Sequence, residues 1–399
     1  MNVLFANNHN YIRGGAEKVF FDEMQLLVNS NINVEKLTFN DYNSKKFFKY
    51  EENQIDDFNT SNLTKLKNIF WNDKASRILD NKLRNKKFDI FHAHNIHTRM
   101  SPSVIFKAKE YNLKTIITLH DLKYVCPHYS MLYNNKICED CKGGKYYNAI
   151  LNKCHKDSYI KSAIVAAELY NFERLKLEDN VDVFISPSNF LKNKYLEMGF
   201  KGTIKYIPNF IDTSIYIKKN IPNSNNYLFV GRLSYEKGIK VLLKAFKSNS
   251  YLLDIVGDGP MMNELKECTI KHNFKNRINF HGHMSSEKVL EKVEACKALI
   301  LPSQTYENAP ISILEALSLG KVVLGSNLGG IPEMIDENKN GFLFKSGSFE
   351  EINIAIDKFE SLNQTEKDSY SEYSLDLVHT KFGKENHLKN LIDVYGELT

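Results

Sequence analysis

Between Ala298 and Gly330 the chain reads ALILPSQTYENAPISILEALSLGKVVLGSNLGG, an order that leaves few folds open. Ala298–Leu301 is a short apolar run of the kind that makes a buried strand. Pro302 to Asn308 is a polar loop. Pro310 is suited to open a helix, because proline is favoured at the first helical position. Ile311, Leu314 and Leu317 then share one face, Gly320 stops the helix, and Lys321–Leu324 is the next strand. Glu307 therefore sits on a loop at the carboxyl end of a strand, and Glu315 a turn or so into the following helix. In an open parallel sheet that rim is where ligands bind. Two carboxylates flanking a helix N-terminus suit a ligand with hydroxyls to donate and phosphates for the helix end to hold. A nucleotide sugar has both. Two glutamates eight apart also occur in any soluble chain, so the surroundings must decide.

The same strand–helix rhythm runs through both halves. In the first, Asn2–Ala6, Val34–Phe39, Phe88–His94, Lys114–His120, Val181–Ser186 and Lys205–Ile207 read as strands. Ala16–Asn29, Tyr159–Glu178 and Asn189–Met198 read as helices, the first with Phe20, Met24, Leu27 and Val28 inward. PNFIDTSIYIKKNIPNSNN is a polar linker. Strands resume at Tyr227–Val230, Leu252–Val256, Ile278–Gly282 and Phe342–Phe344, with a helix over 350–359, polar residues filling 361–373, and a last helix over about 384–398. A length of 399 residues suits two domains. The expected class is α/β, as two doubly wound Rossmann-like domains facing across a cleft. Residues 1–205, with the final helix 384–399 returning to them, form the first, and 206–383 the linker and second.

Other residues collect on the same rims. Gly14 and Gly15 lie between the first strand and a helix, where small residues let a phosphate reach backbone N–H groups; an ordinary glycine turn explains them too. In GRLSYEKG, Gly231 leads out of a strand and Arg232 and Lys237 follow. A planar fork and a point charge together can neutralise a diphosphate. TLHD puts His120 and Asp121 at another strand end, and His94, in HAHN, is a candidate to face an acceptor. Gly257 and Gly259 of GDGP suit either a close pass by a nucleotide base or a plain turn.

ENAPISILEA, followed by KVVLGS and GGIPEMI, resembles the signature of glycosyltransferase family 4, the retaining enzymes of GT-B fold. GRLSYEKG is similar to the family's G-R-L-x-x-E-K-G. The resemblance is dense from 227 to 344 and thin before that. It implies that Glu307 contacts the donor sugar and Glu315 the ribose hydroxyls. It implies also that Arg232 and Lys237 clamp the diphosphate, that Gly14 and Gly15 face the donor phosphates, and that His120 lies close to the donor sugar. Many members have glycine where this chain has Pro310, and proline offers no N–H. Backbone contact to sugar or phosphate then falls to neighbours such as Ala309 or Ile311. The implied activity is transfer from a UDP- or GDP-linked sugar to a hydroxyl of a saccharide or lipid-linked saccharide, in surface polysaccharide biosynthesis. No catalytic metal is expected where cations serve the diphosphate. Retention admits a double displacement or a same-face route. A GT-B nucleotide-sugar epimerase and a non-enzymatic nucleotide-binding module are the alternatives.

Composition narrows the setting. A net charge of +5 lacks the concentrated basic face of a nucleic-acid-binding domain, so no nucleic-acid partner is expected. The N-terminus has no signal-peptide pattern and no apolar run reaches the roughly 18–20 residues of a membrane span, which predicts a cytoplasmic chain. Residues 62–87 read as one basic helix, eight basic side chains against Asp73 and Asp80, with Leu63, Leu66, Ile69, Phe70 and Trp71 on an apolar side. With KKFFKY just before it, this suits a peripheral contact with an anionic membrane surface, or a solvated face over ordinary core. The stretch 122–158 breaks the alternation. It carries Cys126, Cys138, Cys141 and Cys154, with C-x2-C at the centre, compatible with a structural tetrahedral zinc site or with four reduced thiols.

Overall fold

The computed structural model describes residues 1–40, 55–56, 61–216, 219 and 221–399; the KKFFKY segment lies outside them. The chain divides into two compact units: residues 1–131, 138–207 and 387–399, and residues 132–137 with 208–386. The split falls at Ile207/Pro208, inside the linker region expected from sequence, and the Leu132–Ile137 hairpin groups with the second unit.

In the first unit, β1 (Asn2–Ala6), β2 (Asn33–Leu37), β5 (Ile90–His94), β6 (Lys114–Thr118), β9 (Val183–Ser186) and β10 (Ile204–Tyr206) form one parallel sheet. A short pair, β3 (Phe39–Asn40) with β4 (Ile55–Asp56), lies beside it in the chain, and β7 (Leu132–Tyr133) pairs antiparallel with β8 (Lys136–Ile137). The sheet order is β10-β9-β6-β5-β1-β2, all parallel. Strand order reverses at β1, so helices cover both faces and the inner strands β1, β5, β6 and β9 are buried along nearly their whole length, while the edge strand β2, NVEKL, is not. Val3, Phe5, Phe20, Ile90 and Ile116 form a core into which the last helix, Lys384–Leu398, sends Leu391, Val394 and Tyr395.

The second unit holds β11 (Asn226–Val230), β12 (Leu252–Val256), β13 (Ile278–Gly282), β14 (Ala298–Leu301), β15 (Val322–Ser326) and β16 (Gly341–Phe344). Their order is β13-β12-β11-β14-β15-β16, the dinucleotide-fold order counted from the unit's own first strand. The period of two along each strand sorts side chains onto two cores. Tyr227, Phe229, Ile300 and Leu324 face one layer of helices, and Leu228, Leu299, Leu301 and Val323 the other. The architecture is therefore two parallel-sheet, doubly wound α/β units.

Three stretches differ from the sequence expectation, the first being Tyr159–Glu178, which is a helix Tyr159–Arg174 and a separate turn of helix Leu177–Asn180, parted at Lys176 with φ +50. Residues 62–87 are two helices, Asn62–Phe70 and Asp73–Asn85, broken at Trp71. Asn72 caps the second helix by accepting from Ala75 N. Its own N–H and side chain are drawn to Ser101 and Arg99, so tertiary hydrogen bonds impose the break. Leu63 of the first helix is 80% exposed. The polar stretch 361–373 belongs to an 18-residue helix, Gln364–Lys381, opened by a capping box in which Asn363 and Glu366 satisfy each other's backbone N–H. No helix among the described residues is long and apolar enough to cross a membrane.

Candidate active site

In the second unit the order reverses between β11 and β14, so a crevice opens at the carboxyl ends of these two strands. From β11 the chain runs through Gly231, Arg232 and Leu233 to a 3-10 turn, Tyr235–Lys237, then Gly238 and a helix, Ile239–Ser248. From β14 it runs through Pro302–Ala309 to the helix Ile311–Ser318, for which Pro310 is the extended cap residue rather than the first helical one. Gly238 has φ +70, and a Cβ there would lie 1.7 Å from the Pro302 carbonyl oxygen. Only glycine allows both the left-handed turn and this approach of the two loops.

That approach brings Lys237 to Glu307. Lys237 Nζ donates to Glu307 Oε1 at 2.6 Å, and Ser303 Oγ donates to the same oxygen at 2.7 Å. The Glu307 carbonyl accepts from Gly330 N at 2.7 Å. Loops after β11, β14 and β15 are thus tied together at one residue. The Arg232 side chain is exposed on the same rim. Glu315 is half-buried, with the hydroxyl of Tyr216 at 3.5 Å from Oε1. Ala309 uses its carbonyl to accept from Asn209 Nδ2 at 3.1 Å, and Ile311 begins the helix. The GDGP turn packs on the β11 loop: at Gly257, with φ +133, a Cβ would lie 1.9 Å from the Gly231 carbonyl oxygen. Close backbone packing accounts for that glycine.

In the first unit, Gly14 caps the helix Gly15–Asn29 in extended backbone, without a side-chain cap hydrogen bond, and Glu17 Oε2 lies 4.0 Å from where a Gly14 Cβ would be. The Glu17 carboxyl sits in that first turn and burial raises its pKa, against the pull of Arg13. His120 follows β6, and its Nε2 lies 2.9 Å from His94 Nδ1. Burial, and then the His94 ring, lower the His120 pKa to about 3, so the ring is neutral at physiological pH. Burial raises its neighbour Asp121 to about 6. Gly14, Gly15 and His120 thus belong to one unit, and Arg232, Lys237, Glu307 and Glu315 to the other.

The four cysteines of the 122–158 stretch form no disulfide, and Cys126 and Cys141 are buried. Burial, with repulsion from the other thiolates, pushes Cys141 up to about 12 and Cys154 up to about 11. No three of the four sulfurs come within 4.8 Å of one another.

Two family models match the chain in succession: Glycosyltransferase Family 4 over residues 13–215 and Glycosyl transferases group 1 over 212–374. The chain belongs to glycosyltransferase family 4. This family 4 chain is 28% identical over 355 residues to an uncharacterised 42.6 kDa protein in the cps region of Klebsiella pneumoniae, covering 84% of this chain and 87% of that one. It is 26% identical over 262 residues to the lipopolysaccharide 1,2-N-acetylglucosaminetransferase of Salmonella typhimurium, covering 58% and 68%. Among solved structures, Anabaena HepE in complex with UDP superposes with a TM-score of 0.72 at 17% identity over the whole of both chains. Sucrose-phosphate synthase of Thermosynechococcus elongatus does so with a TM-score of 0.72 at 15%, covering 100% and 98%. These likenesses fix the fold as that of GT-B glycosyltransferases. Sequence reasoning missed Ser303, which shares the Glu307 oxygen; its position two residues past β14 was the available signal.

Proposed function

We propose that this enzyme transfers a sugar, with retention of configuration, from a UDP- or GDP-linked donor to a hydroxyl of a saccharide or lipid-linked saccharide, in bacterial surface polysaccharide assembly. The observation that carries the reading is the Lys237–Glu307 ion pair at the switch point of the second unit, with Arg232 on the same rim. Such a rim holds both signs of charge ready: cations for a diphosphate and a carboxylate for sugar hydroxyls. The ion pair keeps the Lys237 ammonium in place before a donor arrives, so little reorganisation is needed as charge develops on the leaving phosphate. Arg232 adds a guanidinium fork, Glu315 accepts from the ribose, and the Ile311 helix start and Gly231, Ala309 backbone lie beside the phosphates. The second unit binds donor and the first binds acceptor.

Glu307 Oε1 already receives two donors. Donors of this kind stabilise the anion and lower its nucleophilicity, which favours a hydroxyl-binding role and a same-face route over a double displacement. The likeness to a cps-region protein and to a lipopolysaccharide transferase supports the polysaccharide setting, and a fold shared with a UDP-bound protein supports a nucleotide-sugar donor.

The four cysteines are the donor set of a structural zinc, but no three of their sulfurs lie within 4.8 Å of one another, whereas a tetrahedral thiolate site needs about 3.8 Å, so zinc would have to draw them together. Four thiols within one excursion are the donor set such a site needs, and the repulsion among their thiolates is what a cation between them relieves. Zinc there would staple a stretch with little regular structure and takes no part in transfer.

The test of the clamp is charge removal. Arg232→Ala and Lys237→Ala should each weaken donor binding and slow turnover about ten- to a hundredfold, from about 1.5–3 kcal/mol per charge-assisted contact. Wild-type kinetics for both variants would end the assignment.

A further inference from the structure

The helix Tyr159–Arg174, which follows the cysteine-bearing stretch, has two apolar sides. Ser162, Ala166, Leu169 and Phe172 turn inward. Ile160, Ala163, Ile164 and Ala167 stand on the opposite side at helical spacing, half-buried or exposed, with no charge among them. A solvated helix carries polar residues opposite its buried stripe. Here apolar residues stand there instead, and Ile160 is 75% exposed with the Tyr159 ring exposed next to it.

The apolar surface continues onto its neighbours. The short helix Tyr147–Leu151 runs back along the long one: Tyr147 N donates to Tyr170 Oη at 3.2 Å, and beyond its far end His155 N donates to Ser162 Oγ at 2.9 Å. Tyr147 and Leu151, one turn apart, are exposed, Leu151 by 65%. On the other flank Asn171 Nδ2 donates to the Phe70 carbonyl at 3.0 Å, which sets the helix Asn62–Phe70 alongside, with Leu63 and Leu66 exposed. Cations surround the apolar residues. Lys153 Nζ sits over the Tyr159 ring, 4.7 Å from its centroid, and Lys142, Lys145, Lys156, Lys161 and Arg174 are exposed. These six share the surface with three exposed carboxylates, Asp140, Asp157 and Glu173, while Glu168 is buried against Lys123. Among the described residues none of the five lysines is in an ion pair, in contrast to Lys67, Lys82 and Lys86.

We propose that the face made by Tyr147–Leu151 and the start of Tyr159–Arg174 docks on an anionic lipid bilayer. Leu151 and Ile160 enter the boundary between headgroups and acyl chains, as the apolar side of an interfacial helix does. Tyr147 and Tyr159 lie at headgroup depth, where a ring with a polar tip is favoured. The lysine stems lie along the apolar residues and carry their charges to the lipid phosphates. An exposed apolar patch rimmed by charge marks an interaction site, and the excess of cations selects an anionic one. A second copy of the chain fits worse, because it would set lysine against lysine. The membrane contact thus moves from the basic stretch 62–87 to the excursion that breaks the strand–helix alternation. All these residues belong to the first unit, and vesicle binding is read without turnover, so the proposal is independent of the donor and acceptor assignments.

The experiment is flotation of the full-length protein with phosphatidylcholine vesicles, with and without phosphatidylglycerol, at low and high salt. It is joined to lysine acetylation of the bound protein, read by mass spectrometry. The wild type should float with the phosphatidylglycerol vesicles and be released as salt rises. In the bound protein Lys153, Lys156 and Lys161 should lose reactivity, a readout that needs no variant to fold. Undiminished acetylation of these three in bound protein, or no flotation at low salt, would overturn the proposal. Combining Lys153→Gln, Lys156→Gln and Lys161→Gln should lower the vesicle partition about a hundredfold, at about fivefold for each lysine near an anionic surface. Leu151→Ser with Ile160→Ser should lower it about tenfold, through lost apolar insertion. Both sets lie on the surface and should leave the melting temperature unchanged. Wild-type partition in both folded variants would overturn the proposal. So would a concentration-dependent dimer that Leu151→Ser with Ile160→Ser abolishes while vesicle binding persists, which would give the face to a second copy.

Discussion

Glu307 and Glu315 are eight positions apart on one loop and helix, yet they meet different surroundings. Glu307 is held by Lys237 and Ser303, and Glu315 lies near the Tyr216 hydroxyl. Glu315 is assigned to ribose, which donor and product share. Glu315→Gln should therefore weaken both, raising KM more than it lowers kcat, as for uniform binding. Glu307→Gln should lower kcat and leave the Kd for the free nucleoside diphosphate nearly unchanged. Product-nucleotide Kd and donor kcat for both variants decide it; loss of nucleotide binding in Glu307→Gln with Glu315→Gln unaffected would reverse the roles. These residues could be read from sequence because each lies within a short contiguous motif at a strand end. Glu23, which the fold buries beside His94 and His387, could not be: those partners are 71 and 364 positions away, and an acidic residue on an amphipathic helix reads as solvated until the fold buries it.

Strands were readable because fully buried strands are apolar throughout and their glycine or proline ends are sharp, whereas the crossover helices Ser103–Glu110, Met262–Lys271 and Ser286–Ala295 were not picked out. The exceptions have local physical causes. The break at Trp71–Asn72 comes from hydrogen bonds to Ser101 and Arg99, which no helix pattern carries. The Gln364–Lys381 helix buries only Tyr370, Ser374 and Val378, too narrow a stripe to stand out, though its capping box was there to be seen. The break also changes the basic face. Lys67 pairs with Asp73, Lys82 and Lys86 with Glu35, and Arg84 with Asp80, so much of the charge counted from sequence is already answered. Leu63 and Leu66 remain exposed beside Lys65 on the first of the two helices. Binding to anionic vesicles should accordingly be weak and should fall as salt screens it. Sedimentation with vesicles at low and high salt checks this; equal binding to neutral vesicles, or none at low salt, would contradict it.

Each of the two units has its own sheet, its own core and its own switch point, and the chain passes between them at either end of Leu132–Ile137, at Ile207/Pro208 and within the last helix. The cysteine-bearing stretch is part of that organisation. If it is stapled as proposed, the purified protein should carry about one zinc by elemental analysis, as a closed four-ligand site does. Cys138→Ser should lose it, and a metal-free, fully active wild type would remove the staple. The central claim concerns the donor, and one measurement reaches it most directly. The protein is incubated with a panel of UDP- and GDP-linked sugars, with and without a lipid-linked saccharide acceptor, and nucleoside diphosphate release is followed alongside proton NMR of the new anomeric centre. The account predicts that one nucleotide sugar is consumed, that acceptor accelerates release, and that the product keeps the donor's anomeric configuration. Conversion of donor alone to an isomeric nucleotide sugar, or a product of inverted configuration, would contradict it.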